Sequence, residues 1–160
     1  MEPTDIKSQS LEELKETVEA LGEKPFRAKQ LYEWMHVKLA ESYDDMTNLS
    51  RTFREKLKES CVLTTLTALD VQTSRIDGTQ KYLFALHDGN VVESVLMRYK
   101  HGNSVCISSQ VGCKMGCRFC ASTIGGWTRN LTPAEMLEQV YRIQETSGER
   151  VSNVVVMGTG

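Results

Sequence analysis

The chain has 160 residues, enough for one domain or for a small domain joined to part of a larger one. At 40% hydrophobic and 25% charged it has an ordinary soluble composition, and no apolar run reaches the roughly 18 residues of a membrane span. A net charge of −2 excludes any global basic signature of nucleic-acid binding, which leaves charge to be read from its distribution. Residues 1–22 carry six acids against two lysines, whereas Ser94–Ala134 holds five basic residues (Arg98, Lys100, Lys114, Arg118, Arg129) and no acid.

In chain order, the first block, residues 1–62, reads as a small helical domain. Ser10 with Glu13 forms a capping box, and Leu11, Leu14, Val18 and Leu21 keep helical spacing up to Gly22. A second helix follows Pro25 with Ala28, Leu31, Tyr32 and Met35, and a third spans 52–60 with Phe53 and Leu57. The basic residues Lys24, Arg27, Lys29, Arg51, Arg54, Lys56 and Lys58 are interleaved with Phe26, Tyr32 and Trp34. That pattern suits either a solvated face over a small aromatic core or an RNA-contacting surface.

The second block, residues 63–100, reads as a β-meander. Asp77-Gly78 and Asp88-Gly89 are turn pairs between the strands 69–75, 80–86 and 91–99. Alternation in the third strand puts Val91, Glu93, Val95 and Met97 on one face. Glu93 is thereby expected among apolar neighbours, partly desolvated, as a general acid or base requires. An edge strand or a bulge would instead let it reach water.

The third block, residues 101–160, reads as the first βαβ unit of a β/α repeat. A short buried strand at 104–108 is followed by a cysteine-rich stretch. Thr132, Pro133 and Glu135 make a second capping box, and a helix with Met136, Leu137, Val140, Tyr141 and Ile143 stops near Gly148. The apolar run 153–157 predicts a strand covered on both faces and paired parallel to 104–108. Ligands in such units gather at the carboxyl ends of the strands, where the cysteine stretch and Gly158-Thr159-Gly160 both fall. Gly160 directly follows a strand, so the expectation is a longer protein of which this chain is one part. The fold class expected is mixed α/β: helical domain, meander, then the start of a barrel.

The cysteines carry the chemistry. Cys113, Cys117 and Cys120, spaced C-x3-C-x2-C, supply three thiolates, one fewer than a closed structural site needs. Such a set suits an iron–sulfur cluster with one iron open to a small molecule. Structural zinc is the alternative, with Cys106 or Cys61 as fourth ligand, and the protein would then be a non-catalytic RNA- or protein-interaction module. Disulfides do not fit an odd count with three thiols in eight residues and no signal peptide. A ferredoxin would need C-x2-C-x2-C and a fourth cysteine before proline. The basic residues around this stretch could balance an anionic cluster or meet phosphates, and sequence leaves both open. His36, His87 and His101 lack ligand spacing and are read as structural, as is Cys106 when considered alone.

Cys113-x3-Cys117-x2-Cys120, with Phe119 before the last cysteine, resembles the signature of radical S-adenosylmethionine enzymes. The segments 22–28 (GEKPFRA), 92–95 (VESV), 106–112 (CISSQVG), 129–132 (RNLT) and 153–160 (NVVVMGTG) are similar to those of the RlmN-type dual-specificity RNA methyltransferases, along the whole chain. That resemblance implies a partial radical S-adenosylmethionine (β/α) barrel in which Cys113, Cys117 and Cys120 hold a 4Fe–4S cluster whose open iron binds S-adenosylmethionine. Cleavage of the sulfonium then gives a 5′-deoxyadenosyl radical. It implies methylation of carbon 2 of adenine in large-subunit rRNA and certain tRNAs through a methyl-carrying cysteine that this chain lacks. Glu93 matches the family's proton acceptor, and Phe119, Gly158 and Gly160 fall at the S-adenosylmethionine site. The helical domain would contact RNA. The implied partners are rRNA, tRNA and an external one-electron donor, with no membrane, for a cytoplasmic monomer.

Overall fold

In a computed structural model the chain is described at residues 4–100, 102–111 and 129–156. It divides into two units, 1–64 and 65–160.

The first unit begins with strand β1 (Thr4–Asp5) and a 3-10 turn at Ile6–Ser8, then helix α1 (Leu11–Ala20). The capping box forms: the Glu13 amide donates to Ser10 Oγ (3.2 Å), and Ser10 N–H donates to Glu13 Oε1 (3.0 Å). Helix α2 (Phe26–His36), a 3-10 turn at Tyr43–Asp45, helix α3 (Arg51–Ser60) and strand β2 (Cys61–Val62) complete it, with β2 parallel to β1. Leu14, Val18, Ala28, Leu31, Met35, Met46, Phe53 and Leu57 are fully buried in one core. Within each helix these positions repeat at the 3–4 residue spacing that puts one stripe inward, and Met46 joins them from the segment before α3.

The second unit is a five-stranded sheet whose strands, 67–73, 80–85, 91–99, 102–107 and 151–156, lie side by side in that order. Strands β3 (Thr67–Thr73), β4 (Gln80–Ala85), β5 (Val91–Tyr99) and β6 (Gly102–Ile107) are antiparallel neighbours. The meander and the βαβ unit therefore share one sheet. Both Asp-Gly turns are held by their aspartates: Asp77 Oδ1 accepts from Thr79 N–H (3.0 Å) and Asp88 Oδ1 from Asn90 N–H (3.1 Å). After β6 come the short strands β7 (Gln110–Val111) and β8 (Arg129–Asn130), helix α4 (Pro133–Ser147) and strand β9 (Val151–Val156).

Strands β6 and β9 pair parallel, as the sequence predicts, with Ile107 beside Val156. The two run close at Gly102, where a Cβ would lie 2.7 Å from Ser152 Oγ. Helix α4 opens on the Thr132–Glu135 capping box and ends at Gly148, whose φ of 71° glycine adopts without steric cost.

One sheet face packs against α4. Tyr82, Phe84, Val92, Leu96, Val105 and Ile107 from the strands meet Ile143, Met136 and Val140 from the helix. The expectation that β9 is covered on both faces is not met: Val154 and Val156 are about half exposed, because β9 is the outermost strand beside β6. Among the described residues no helix is long and apolar enough to cross a membrane.

Candidate active site

The six residues expected at the metal and cofactor, Cys113, Cys117, Phe119, Cys120, Gly158 and Gly160, lie outside the described residues. What the structure does show is the frame from which they extend. Ile107 and Val156, the last residues of the parallel strands, are register partners, so the two strands that precede the cysteine segment and the glycine segment end side by side. Gln110 pairs with Asn130 and Val111 with Arg129 in an antiparallel bridge, and Leu131 N–H donates to Ser109 O (2.9 Å). The chain therefore departs toward Cys113 and returns to Arg129 at one closed stem.

Helix α4 grips this stem with buried polar side chains. Gln139, fully buried, donates from Nε2 to Ser108 O (2.8 Å), and its Oε1 accepts from Ser108 N–H (2.8 Å) and Ser94 Oγ (2.6 Å). Ser108 Oγ in turn donates to Glu93 O (2.6 Å). One helical turn earlier, Glu135 is 1% exposed and takes both terminal nitrogens of Arg129, each at 2.8 Å. Its Oε1 also accepts from Thr132 N–H (2.9 Å). Arg129 Nε donates to Asp88 Oδ2 (2.8 Å), so one guanidinium joins a turn, a strand and a helix.

The charges agree with this geometry. Burial pushes the Glu135 carboxyl up, but the Arg129 and Thr132 hydrogen bonds outweigh it and the net shift is downward. The same guanidinium holds Asp88 far below the usual carboxylate range. Arg98, also in the acid-free stretch, is bound to Glu149 (2.7 Å), Gly78 O and Gln80. Arg98 and Arg129 thus each have an acidic partner within the unit.

Glu93 shares its face with Val95 and Met97, as alternation predicts, but this is the face opposite α4. Its side chain is 46% exposed and pairs with Lys81 Nζ at 3.1 Å, in a shallow groove with Asp70, Gln72 and Leu83. The expected desolvation is therefore not met: the apolar neighbours are present, but among the described residues of this unit no layer covers this face.

The remaining candidates stay apart. Cys61 is buried in the first unit, where burial pushes its thiol up, and Cys106 is half-buried in β6. His87 lies 3.8 Å from Glu135, His36 packs against Tyr32 with ring centroids 4.5 Å apart and planes tilted by 55°, and His101 lies outside the described residues. Among the described residues no three potential ligands gather around a metal position. The three cysteine thiols expected from the sequence, Cys113, Cys117 and Cys120, are a donor set whose chemistry would suit an iron–sulfur cluster with one iron left open. On the first unit Phe26 is 52% exposed with the Arg27 guanidinium 4.8 Å from its ring centre, and Lys38 lies 4.1 Å from that of Trp34.

Gln139, Arg129 and Lys81 were not singled out by sequence as site residues. The i, i+4 pair Glu135/Gln139 on the helix was the available signal.

Residues 4–63 match the family described as the ribosomal RNA large subunit methyltransferase N-terminal domain. A probable dual-specificity RNA methyltransferase RlmN of Lachnospira eligens is 65% identical over 157 residues, which is 98% of this chain and 45% of that protein. The Bacillus subtilis protein of the same name is 52% identical over 162 residues, 99% of this chain and 44% of its own length. A crystal structure of a radical SAM methyltransferase from Sphaerobacter thermophilus superposes with a TM-score of 0.89 at 41% identity, over 99% of this chain and 47% of that one. The chain thus spans somewhat under half the length of these relatives.

Proposed function

We propose, for a chain that is RlmN-like along its whole length, that it provides the cluster-bearing and proton-accepting portion of a radical S-adenosylmethionine methyltransferase. The reaction is methylation of carbon 2 of a specific adenine in large-subunit rRNA and in certain tRNAs. Cys113, Cys117 and Cys120 would hold a 4Fe–4S cluster, and Phe119, Gly158 and Gly160 would line the S-adenosylmethionine site. When bound, the cluster supplies one electron, delivered by an external donor, to open the sulfonium of S-adenosylmethionine.

The observation that carries this reading is the stem. A C-x3-C-x2-C segment is tied off at the carboxyl end of one parallel strand, beside the end of the next, where ligand sites of β/α sheets form. This chain's own residues hold the segment in place and accept a proton. Glu93, exposed and reachable from the groove opposite α4, would take the proton that leaves carbon 2 of the adenine. The aromatic–basic pairs of the first unit would stack on and screen the RNA. The protein is read as a cytoplasmic monomer.

Anoxic purification with iron, sulfide and zinc analysis, then EPR of the reduced protein with and without S-adenosylmethionine, tests the cofactor. About four irons per chain and a spectrum that shifts on adding S-adenosylmethionine are expected. About one zinc and no iron would favour the zinc-bound interaction module instead. For the base, this chain replaces the aligned region of the Lachnospira eligens relative, and Glu93→Gln in that chimera should abolish adenine methylation. Undiminished methylation would remove Glu93 from the mechanism.

A further inference from the structure

The polar ladder on α4 has no place in the reaction just described and too many internal partners to be incidental. Glu135 and Gln139, one turn apart, are at most 1% exposed, yet neither side chain packs as an apolar residue would. Each ends on the backbone or side chain of one end of the same segment. Gln139 binds both backbone groups of Ser108, where the chain leaves β6. Glu135 binds Arg129, where it comes back.

Resting on the cluster reading above, we propose that Glu135 and Gln139 are positioning residues that set the two ends of the cysteine segment and so aim its three thiols. The physical reason lies in the number of constraints. A segment of this length between free ends could place three thiols in many ways, and each doubling of loop length costs only about 0.6 kcal/mol to close. Closure alone therefore does not choose a geometry. Fixing Ser108 through both its N–H and C=O sets the direction of departure. Fixing Arg129 through a two-point carboxylate contact sets the direction of return, because a forked pair resists rotation where a single contact would not. Both anchors sit on one rigid helix, so the distance between them does not drift. Partners outside the ligand set commonly control metal sites in this manner.

The test uses the full chain with Arg129→Lys, which keeps the charge and loses the fork, and Gln139→Leu, which keeps the volume and loses four hydrogen bonds. Far-UV CD establishes that each variant folds. Should Gln139→Leu not fold, Gln139→Glu retains an acceptor for the Ser108 amide and removes the donor to its carbonyl, and it carries the same comparison. Two readouts follow. Hydrogen exchange of the metal-free protein should quicken in both stretches, 107–111 and 129–133, for either variant. After anoxic reconstitution, cluster content should fall several-fold, and the EPR change caused by S-adenosylmethionine should be lost. Folded variants with unaltered exchange, or with the wild-type spectrum and its shift, would overturn the clamp. A wild-type protein that builds no cluster would strike the proposed function instead, and quickened exchange at both ends would still sustain the clamp.

Discussion

The two units bury polar side chains in opposite ways. In the first, Lys7 is the one buried charged or polar side chain among the described residues, satisfied by Thr64 O at 2.7 Å. Its ion pairs, such as Lys58–Asp44 at 2.7 Å and Arg51–Glu55 at 3.2 Å, lie on exposed surface and stabilise little. The second unit buries Ser94, Ser108, Glu135, Glu138, Gln139 and Arg142 where helix α4 meets the sheet, and Ser104 on the other sheet face. Replacing such groups by apolar ones is often neutral or stabilising, so stability is weak grounds for their presence. The first unit is held by hydrophobic burial, whereas the second uses buried polar contacts to fix where its backbone goes.

The sharpest way to break this contrast is Arg129→Met, which strands the buried Glu135 carboxylate. The second unit should lose about 3–5 kcal/mol in urea unfolding, and a loss below about 1 kcal/mol would show that Glu135 finds other partners. In the first unit Phe53→Ala should cost a similar amount, about 3–5 kcal/mol, through lost apolar burial, and should leave amide exchange in 107–111 unchanged. Gln139→Leu comes next, about 1–3 kcal/mol, because Ser108 and Ser94 lose buried partners. Ser10→Ala, which removes the α1 cap, should cost about 1 kcal/mol.

Acid gives a smaller, graded effect. Asp88 and Glu135 are held below their ordinary values in the folded state, so they contribute stability above the unfolded value, which is lost as pH falls through the folded one. The melting temperature of the second unit should therefore decline below about pH 4, and more shallowly in Arg129→Met.

Much of this was legible because it is local. Both capping boxes and the two Asp-Gly turns follow from residues within a few positions of one another, and the parallel pairing of β6 with β9 follows from the strand–helix–strand order. The companions of Glu93 were also legible, since alternation is a property of one strand. Which face α4 would cover was not, because that depends on a helix some 40 residues away landing on the opposite side. For the same reason Glu135 reads in sequence only as a cap. Its second partner, Arg129, enters from outside the helix, and an apolar-periodicity reading of α4 passes over Gln139 because glutamine is ordinarily exposed. The cysteine pattern was legible as chemistry, while its coordinates lie outside the described residues.

The double attachment of Glu135 has a consequence for how the second unit opens. A single carboxylate both starts α4, through Thr132 N–H, and closes the stem, through Arg129. Breaking either contact weakens the hold on the other, so the first helical turn and the stem are expected to open in a coupled way. In native-state hydrogen exchange the amides of Leu131, Glu135 and Met136 should open together, with one free energy and one denaturant dependence, as a single cooperative piece.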